Sequence, residues 1–207
     1  MLRVLAISGS LRKESHNTAL LRALPGLMPA GMQLEFFGDL AGVPLYNADL
    51  DGPDAPAEVT RLRRDVTESD GLIIATPEYL HTIPGVIKNA IDWLSRPIIA
   101  PALSGKAIVL LVATTGRASG FRSLAVTAEI LTGLRNVVVP RPEVVVNNAH
   151  EVLTTGPGGE AEVTDPVARG LIGVQLAILG DLLEAGSARL LESSFRQHTA
   201  AFYAHQP

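Results

Sequence analysis

Short apolar runs and longer stretches of helical apolar spacing take turns along the whole chain. Leu2 to Ile7 is almost wholly apolar, which predicts a strand covered on both faces. Ser8 to His16 is polar and turn-like, and from Asn17 a helical run carries Leu20, Leu21 and Leu24 on one side before stopping near Pro25-Gly26. Met32 to Phe37 reads as a second strand, and Gly38 to Pro56, rich in Gly, Pro and Asp, as a long surface connection. Val59, Leu62 and Val66 recur at helical spacing, then Gly71 to Ala75 forms a third buried strand. Pro84 fits the first turn of a helix whose inward stripe is Ile87, Ala90, Ile91 and Leu94, with Lys88 and Asp92 paired outside. Ala107 to Ala113 is the fourth strand. The helix after Gly120 shows Phe121, Leu124, Ala125, Ala128 and Leu131. Val137 to Val146, broken by Pro140 and Pro142, supplies the fifth. A helix from about Pro166 to Ala185, stopped by Gly186, closes the pattern.

Strand and helix alternate throughout. That order predicts an α/β fold, a three-layer doubly wound five-stranded parallel sheet in one domain over 1–207. Asn147 to Asp165 matches no element, and Gly156, Pro157, Gly158 and Gly159 suggest a mobile loop or hairpin tip. The last helix is apolar around much of its circumference, with Leu171, Val174, Ile178 and Leu182 on one face and Ile172, Leu176, Leu179 and Leu183 on another. One large core or a covering partner would each account for it.

Composition narrows the function classes. With 47% apolar and 18% charged residues the chain is globular, and no stretch is apolar without interruption for the eighteen residues of a membrane span. The first strand starts at once, leaving no room for a signal peptide. A net charge of −4 gives no basic field for nucleic acid, and Arg61, Arg63 and Arg64 most simply solvate one helix face. The absence of cysteine removes disulfides, thiolate metal sites and cysteine nucleophiles, and is compatible with the cytoplasm. His150, Glu151, Glu160 and Asp165 do not make metal spacing.

In an open parallel sheet, ligands sit beyond the carboxyl ends of the strands, where strand order reverses. Ser8 to Thr18, Thr76 to Ile83 and Thr114 to Gly120 fall there. In the first segment Gly9 lets the backbone turn, Ser10, Ser15, Asn17 and Thr18 offer donors, and Arg12 adds a charged fork. A helix beginning near Asn17 adds unpaired N–H groups and the positive end of its dipole. This is neither the three-glycine dinucleotide loop nor a P-loop; a phosphomonoester fits it. The plainer alternative is that Ser15 or Asn17 only caps the helix while Arg12 is solvated.

Gly9-Ser10-Leu11-Arg12 with Ser15 and Asn17, followed by the run from Thr76-Pro77-Glu78-Tyr79 through Ile83-Pro84-Gly85 to Ala90-Ile91-Asp92-Trp93-Leu94-Ser95, resembles the NADPH-dependent FMN reductase family over about residues 2 to 146. The resemblance implies a flavodoxin-like fold, strand order 2-1-3-4-5, and a cytoplasmic enzyme that is a homodimer or homotetramer. FMN and NADPH or NADH would be its cofactors, and a small planar acceptor such as a flavin, quinone or azo dye its partner. It places Ser10, Arg12, Ser15, Asn17 and Thr18 at the FMN phosphate and Pro77, Glu78 and Tyr79 along the ring. The pyrimidine edge would face Thr114, Thr115, Gly116, Arg117, Ser119 and Gly120. Family members usually carry Asn after the Tyr, where this chain has Leu80.

Ordinary readings stand beside these. Tyr79 could be a core aromatic, Glu78 a solvated charge, and Arg117 an exposed arginine or one that attracts the NADPH 2′-phosphate. His81 could serve the surface, since hydride transfer needs no protein base. Trp93 belongs against the sheet or a partner subunit. The rival functions are an electron-shuttling flavodoxin without NAD(P)H turnover, a phosphate-ester hydrolase and a flavin-free scaffold; the phosphatase version lacks its cysteine.

Overall fold

The computed structural model describes every residue except 39, 117–119, 159 and 204–207, and the backbone alone at 201–203. Five parallel positions make the main sheet. They are β1 (Leu2–Ser8), β2 (Met32–Phe36), β3 (Gly71–Ala75), β4 (Ala107–Ala113), and a last one shared by two short pieces, β5 (Val137–Val138) and β6 (Val144–Val146). The order is β2-β1-β3-β4-β5, with β6 also on β4, as the sequence predicted. β1 lies in register with β3 from Val4↔Gly71 to Ser8↔Ala75, and β4 meets β5 at Ala107↔Val137 and β6 at Leu111↔Val144. Pro140 and Pro142, which carry no N–H for a ladder, lie between the two pieces.

The continuous apolar character of the strands follows from their two covered faces. On β4, Ala107, Val109, Leu111 and Ala113 enter one core and Ile108, Leu110 and Val112 the other. The first core lies under α1 (His16–Ala23) and a long C-terminal helix over Pro166–Glu184; the second lies under α2 (Ala57–Glu68), α3 (Gly85–Leu94) and α4 (Phe121–Gly133). Trp93 is fully buried in the second core, and its Nε1 donates to the Pro44 carbonyl at 2.7 Å. Arg63 is not a solvated side chain. It pairs with Asp51 at 2.9 Å and donates to the Trp93 carbonyl at 2.8 Å.

Two departures lie toward the C-terminus. The unassigned segment folds as a short helix α5 (Ala149–Val152) and an antiparallel hairpin of β7 (Leu153–Thr155) and β8 (Ala161–Val163), its tip at the Gly-Pro-Gly run. The hairpin packs on α1. The helix α6 (Pro166–Glu184) is capped by Asp165, which accepts from the Ala168 N–H at 2.6 Å. It alone among the described residues is long and apolar enough to cross a membrane by length and composition. Ile172, Leu176 and Leu179 are nevertheless wholly buried in the first core, and Leu171, Ile178 and Leu182 pack against it.

The chain does not end its helical part at Gly186. A further helix α7 (Ser187–Tyr203) follows, held by Glu192, whose carboxylate takes the Arg135 and Arg196 guanidinium groups at 2.7 Å each.

Candidate active site at the β1 and β3 strand ends

Strand order reverses between β1 and β3, because the crossover from β2 steps over β1 to reach β3. Three segments meet beyond that point. The turn after β1 opens with the Gly9 N–H on the Ala75 carbonyl (2.8 Å), the loop after β3 with the Thr76 N–H on Leu111 (3.0 Å), and the loop after β4 with the Thr114 N–H on Val146 (2.9 Å). Gly9 must be glycine. A Cβ there would stand 2.7 Å from Ile87 Cγ1 and 2.9 Å from Thr76 Oγ1.

The first turn is shaped by its own hydroxyls. Ser8 Oγ lies 2.7 Å from Thr18 Oγ1 and accepts from the Ser10 N–H at 3.3 Å, so a serine passed over in the sequence organises the nest. Thr18 is thereby engaged with Ser8. Ser15 caps α1 by accepting from the Thr18 N–H at 3.2 Å, and its own hydroxyl proton remains to be donated. Helix geometry leaves the first-turn N–H groups of His16 and Asn17 without intrahelical acceptors, and no acidic residue sits in that turn.

Asn17 stands apart from the expected set. Its side chain is buried and closes a two-bond clasp on β4, Nδ2 donating to the Ala113 carbonyl and Oδ1 accepting the Ala113 N–H, both at 2.9 Å. A phosphate at the turn would meet its backbone, not its amide. Arg12 is exposed, and its guanidinium donates to the Glu14 carbonyl at 3.3 Å. Burial, aided by the nearby Arg12 and His150, holds His16 below its ordinary pKa. That shift favours the neutral imidazole, so the positive groups offered at this corner are Arg12 and the N-terminal end of α1.

The second loop ends in a tight reversal. The Tyr79 N–H donates to the Thr82 carbonyl (3.0 Å) and the Thr82 N–H returns to Tyr79 (3.1 Å), while Leu80 and His81 between them have φ of 47° and 65°. Both are in the left-handed region, as in a type I′ turn. A family preference for Asn at position 80 has a physical reason here, because Asn adopts this backbone with less strain than Leu. Leu80 is 93% exposed and Tyr79 49%, so Tyr79 is no core aromatic.

Glu78 is not a solvated charge. Its side chain is 9% exposed, and Oε2 accepts the N–H groups of Gly120 (2.8 Å) and Arg122 (3.2 Å) at the start of α4. Burial pushes its carboxyl pKa up, but the N–H groups of Gly120, Arg122 and Ser123 and the Arg122 charge outweigh that and leave it below the usual value.

In the third segment Thr115 is exposed, and the Gly116 N–H donates to Thr114 Oγ1 at 3.1 Å. Arg117 and Ser119 lie outside the described residues. One buried acceptor in the vicinity, Asn147 Oδ1 at the end of β6, has no hydrogen-bond partner among the described residues.

Two clefts flank the first turn. One of about 810 Å³ lies between Leu11, Arg12 and Leu45 on one side and Tyr79, Pro84 and Val86 on the other. The second, about 650 Å³, faces β2 and is lined by Ser10, Arg12, Lys13, Arg22 and Glu160. A more enclosed cavity of about 450 Å³ between α4 and the last strand, lined by Leu124, Ala128 and Val139, contains none of the expected site residues.

The family model for NADPH-dependent FMN reductase matches residues 2–151. The chain belongs to that family. It is an oxidoreductase, with FMN and NAD(P)H as its cofactors. Among relatives, an NAD(P)H-dependent FMN reductase of Pseudomonas aeruginosa is 39% identical over 178 residues, 86% of this chain and 93% of that protein. A quinone reductase of Escherichia coli is 39% identical over 143 residues, 69% of this chain and 76% of that one. Among solved structures, FerB, a flavoenzyme NAD(P)H:acceptor oxidoreductase from Paracoccus denitrificans, superposes with a TM-score of 0.76 at 30% identity. It covers 90% of this chain and 99% of its own.

The residues present suit FMN. Its phosphomonoester is matched by the hydroxyls of Ser10 and Ser15, the Arg12 guanidinium and the open first turn of α1. Its flat ring is matched by the half-exposed Tyr79 and by Pro77 beside it.

Proposed function

We propose that this FMN reductase family member transfers electrons from NAD(P)H to a quinone, flavin or azo acceptor by ping-pong turnover. One observation carries the reading. A donor-rich turn, its helix end free of acidic side chains, stands at the sheet's switch point beside two loops that present flat and apolar surface. Bound FMN supplies the two-electron chemistry, taking hydride from the nicotinamide and releasing electrons to the acceptor.

The chain's own residues bind and orient. Ser10, Ser15 and Arg12 hold the phosphate together with the backbone N–H groups of His16 and Asn17, while Thr18 braces the turn through Ser8. Pro77 and Tyr79 form the ring's wall, Gly116 and Gly120 allow backbone to approach its polar edge, and Arg117 serves the same edge. Donor and acceptor use one open face in turn, which gives the ping-pong pattern. The exposed Leu45, Ile98 and Phe121 support a homodimer or homotetramer, and dependence on NAD(P)H supports a cytoplasmic site of action.

Purified protein mixed with FMN and desalted is expected to keep about one flavin per chain and to oxidise NADPH when a quinone is added. Arg12→Ala should raise the Kd for FMN about 10- to 100-fold, the worth of one charge-assisted phosphate contact. Flavin retention without NADPH or NADH oxidation by any acceptor would favour the electron shuttle. Unchanged FMN affinity in Arg12→Ala would refute the anchor.

A further inference from the structure

The helices α1 and α4 both begin at the ligand-bearing edge, and their first turns are capped in different ways. At α1 the first turn holds no acidic residue and its cap is a neutral serine. At α4 the cap position is Gly120, which has no side chain to offer, and no acid lies in its first turn either. The missing cap arrives from 42 residues upstream: Glu78 accepts the N–H groups of Gly120 and Arg122. A carboxylate at that position both satisfies orphan donors and cancels the helix's positive end.

Close packing lies on one side of the clamp and a surface contact on the other. Gly120 has φ of +109°, and a Cβ on it would stand 2.6 Å from Val112 Cγ1, so the start of α4 is pressed onto the sheet. On the other side Arg122 Nη1 lies 2.7 Å from His81 Nδ1 and 3.7 Å from Glu78 Oε1, which ties the tip of the second loop to the same helix turn. The arginine can only donate, so His81 Nδ1 accepts, and the ring proton resides on Nε2.

We infer that Glu78 is a positioning residue of the flavin site: its buried charge locks the second loop to the third and neutralises the α4 N-terminus. This rests on the FMN reading above. Two consequences follow from it. Loss of the carboxylate frees both loops that flank the ring, so FMN binding suffers although Glu78 touches no part of the phosphate nest. Loss of charge alone uncovers the positive end of α4 and favours the electron-rich reduced flavin.

Glu78→Ala and Glu78→Gln separate these effects. Glu78→Ala is expected to weaken FMN binding about tenfold or more, and to speed hydrogen exchange at the Gly120 and Arg122 amides in the flavin-free protein. Glu78→Gln retains an acceptor oxygen. It should preserve amide protection and most FMN affinity while shifting the midpoint potential of bound FMN in the positive direction.

Wild-type exchange rates at those two amides in Glu78→Ala would overturn the clamp even if no chain variant held flavin. In a flavin-binding protein, wild-type FMN affinity in Glu78→Ala would overturn the positioning role. An unshifted potential in Glu78→Gln would overturn the electrostatic one. Failure of the wild type itself to retain FMN would strike the proposed function, with the exchange measurement still deciding the clamp.

Discussion

Asn17→Ala separates a structural amide from a phosphate ligand. The clasp joins α1 to the last residue of β4 across 96 positions, and Ala113 itself is 4% exposed. Truncation leaves the Ala113 N–H and C=O both buried and unmatched. Each unmatched group costs about 1–3 kcal/mol, so the variant should lose about 2–6 kcal/mol of stability. For a chain of this size, that corresponds to a melting point lower by about 5–15 °C. Urea denaturation followed by circular dichroism measures the loss. FMN titration at a temperature where the variant is fully folded should show a far smaller effect than Arg12→Ala. The reasoning is refuted by a variant of wild-type stability, and equally by one that melts normally but has lost FMN. The second result would return the amide to the phosphate.

Gly120→Ala combines a left-handed backbone with a methyl group 2.6 Å from Val112, and should cost about 2–5 kcal/mol by denaturant titration; a loss under half a kcal would show that the loop can move. Leu80→Asn relieves a left-handed leucine that buries nothing, and should raise stability by about 1 kcal/mol in the same assay, whereas a lower melting point would mean that Leu80 is covered in the folded protein. Acid should loosen α7. Burial raises the Glu192 pKa, but the hydrogen bonds and charges of Arg135 and Arg196 outweigh it and leave it below the ordinary 4.5. Its contribution is therefore complete above that ordinary value and disappears as pH falls through the lower folded one. Comparing urea midpoints between pH 6 and pH 3 should show a steeper decline in the wild type than in Glu192→Gln, and parallel declines would contradict it.

What could be read beforehand was whatever leaves a local periodic trace. The strands showed as apolar runs because both faces are covered, and the turn after β1 showed as a dense cluster of oxygen donors following a strand. Partners far along the chain left no such trace. Ala113 and Ser8, the partners of the Asn17 and Thr18 side chains, are invisible in the local pattern. Glu78 read as a ring neighbour or a solvated charge because the N–H groups that donate to it, those of Gly120 and Arg122, lie far along the chain at the start of α4. The helix α7 was missed for a related reason. It is held by a charged residue, Glu192, paired with Arg135 across 57 positions, whereas helical apolar spacing assumes hydrophobic anchors. The hairpin β7–β8 has three-residue strands, too short for any alternation to register.

The interruption between β5 and β6 matters for more than topology. A border strand ordinarily offers neighbouring molecules a row of idle amides and carbonyls, the template for runaway stacking of one chain on another. Here two prolines remove amides from that border, and Gln175 Nε2 occupies the carbonyls of Pro140 and Pro142 at 2.6 and 2.8 Å, with the charges of Arg141 and Glu143 alongside. A foreign strand arriving at this margin finds little to zip onto, so the same irregularity that blurs the fifth strand guards the protein against aggregation.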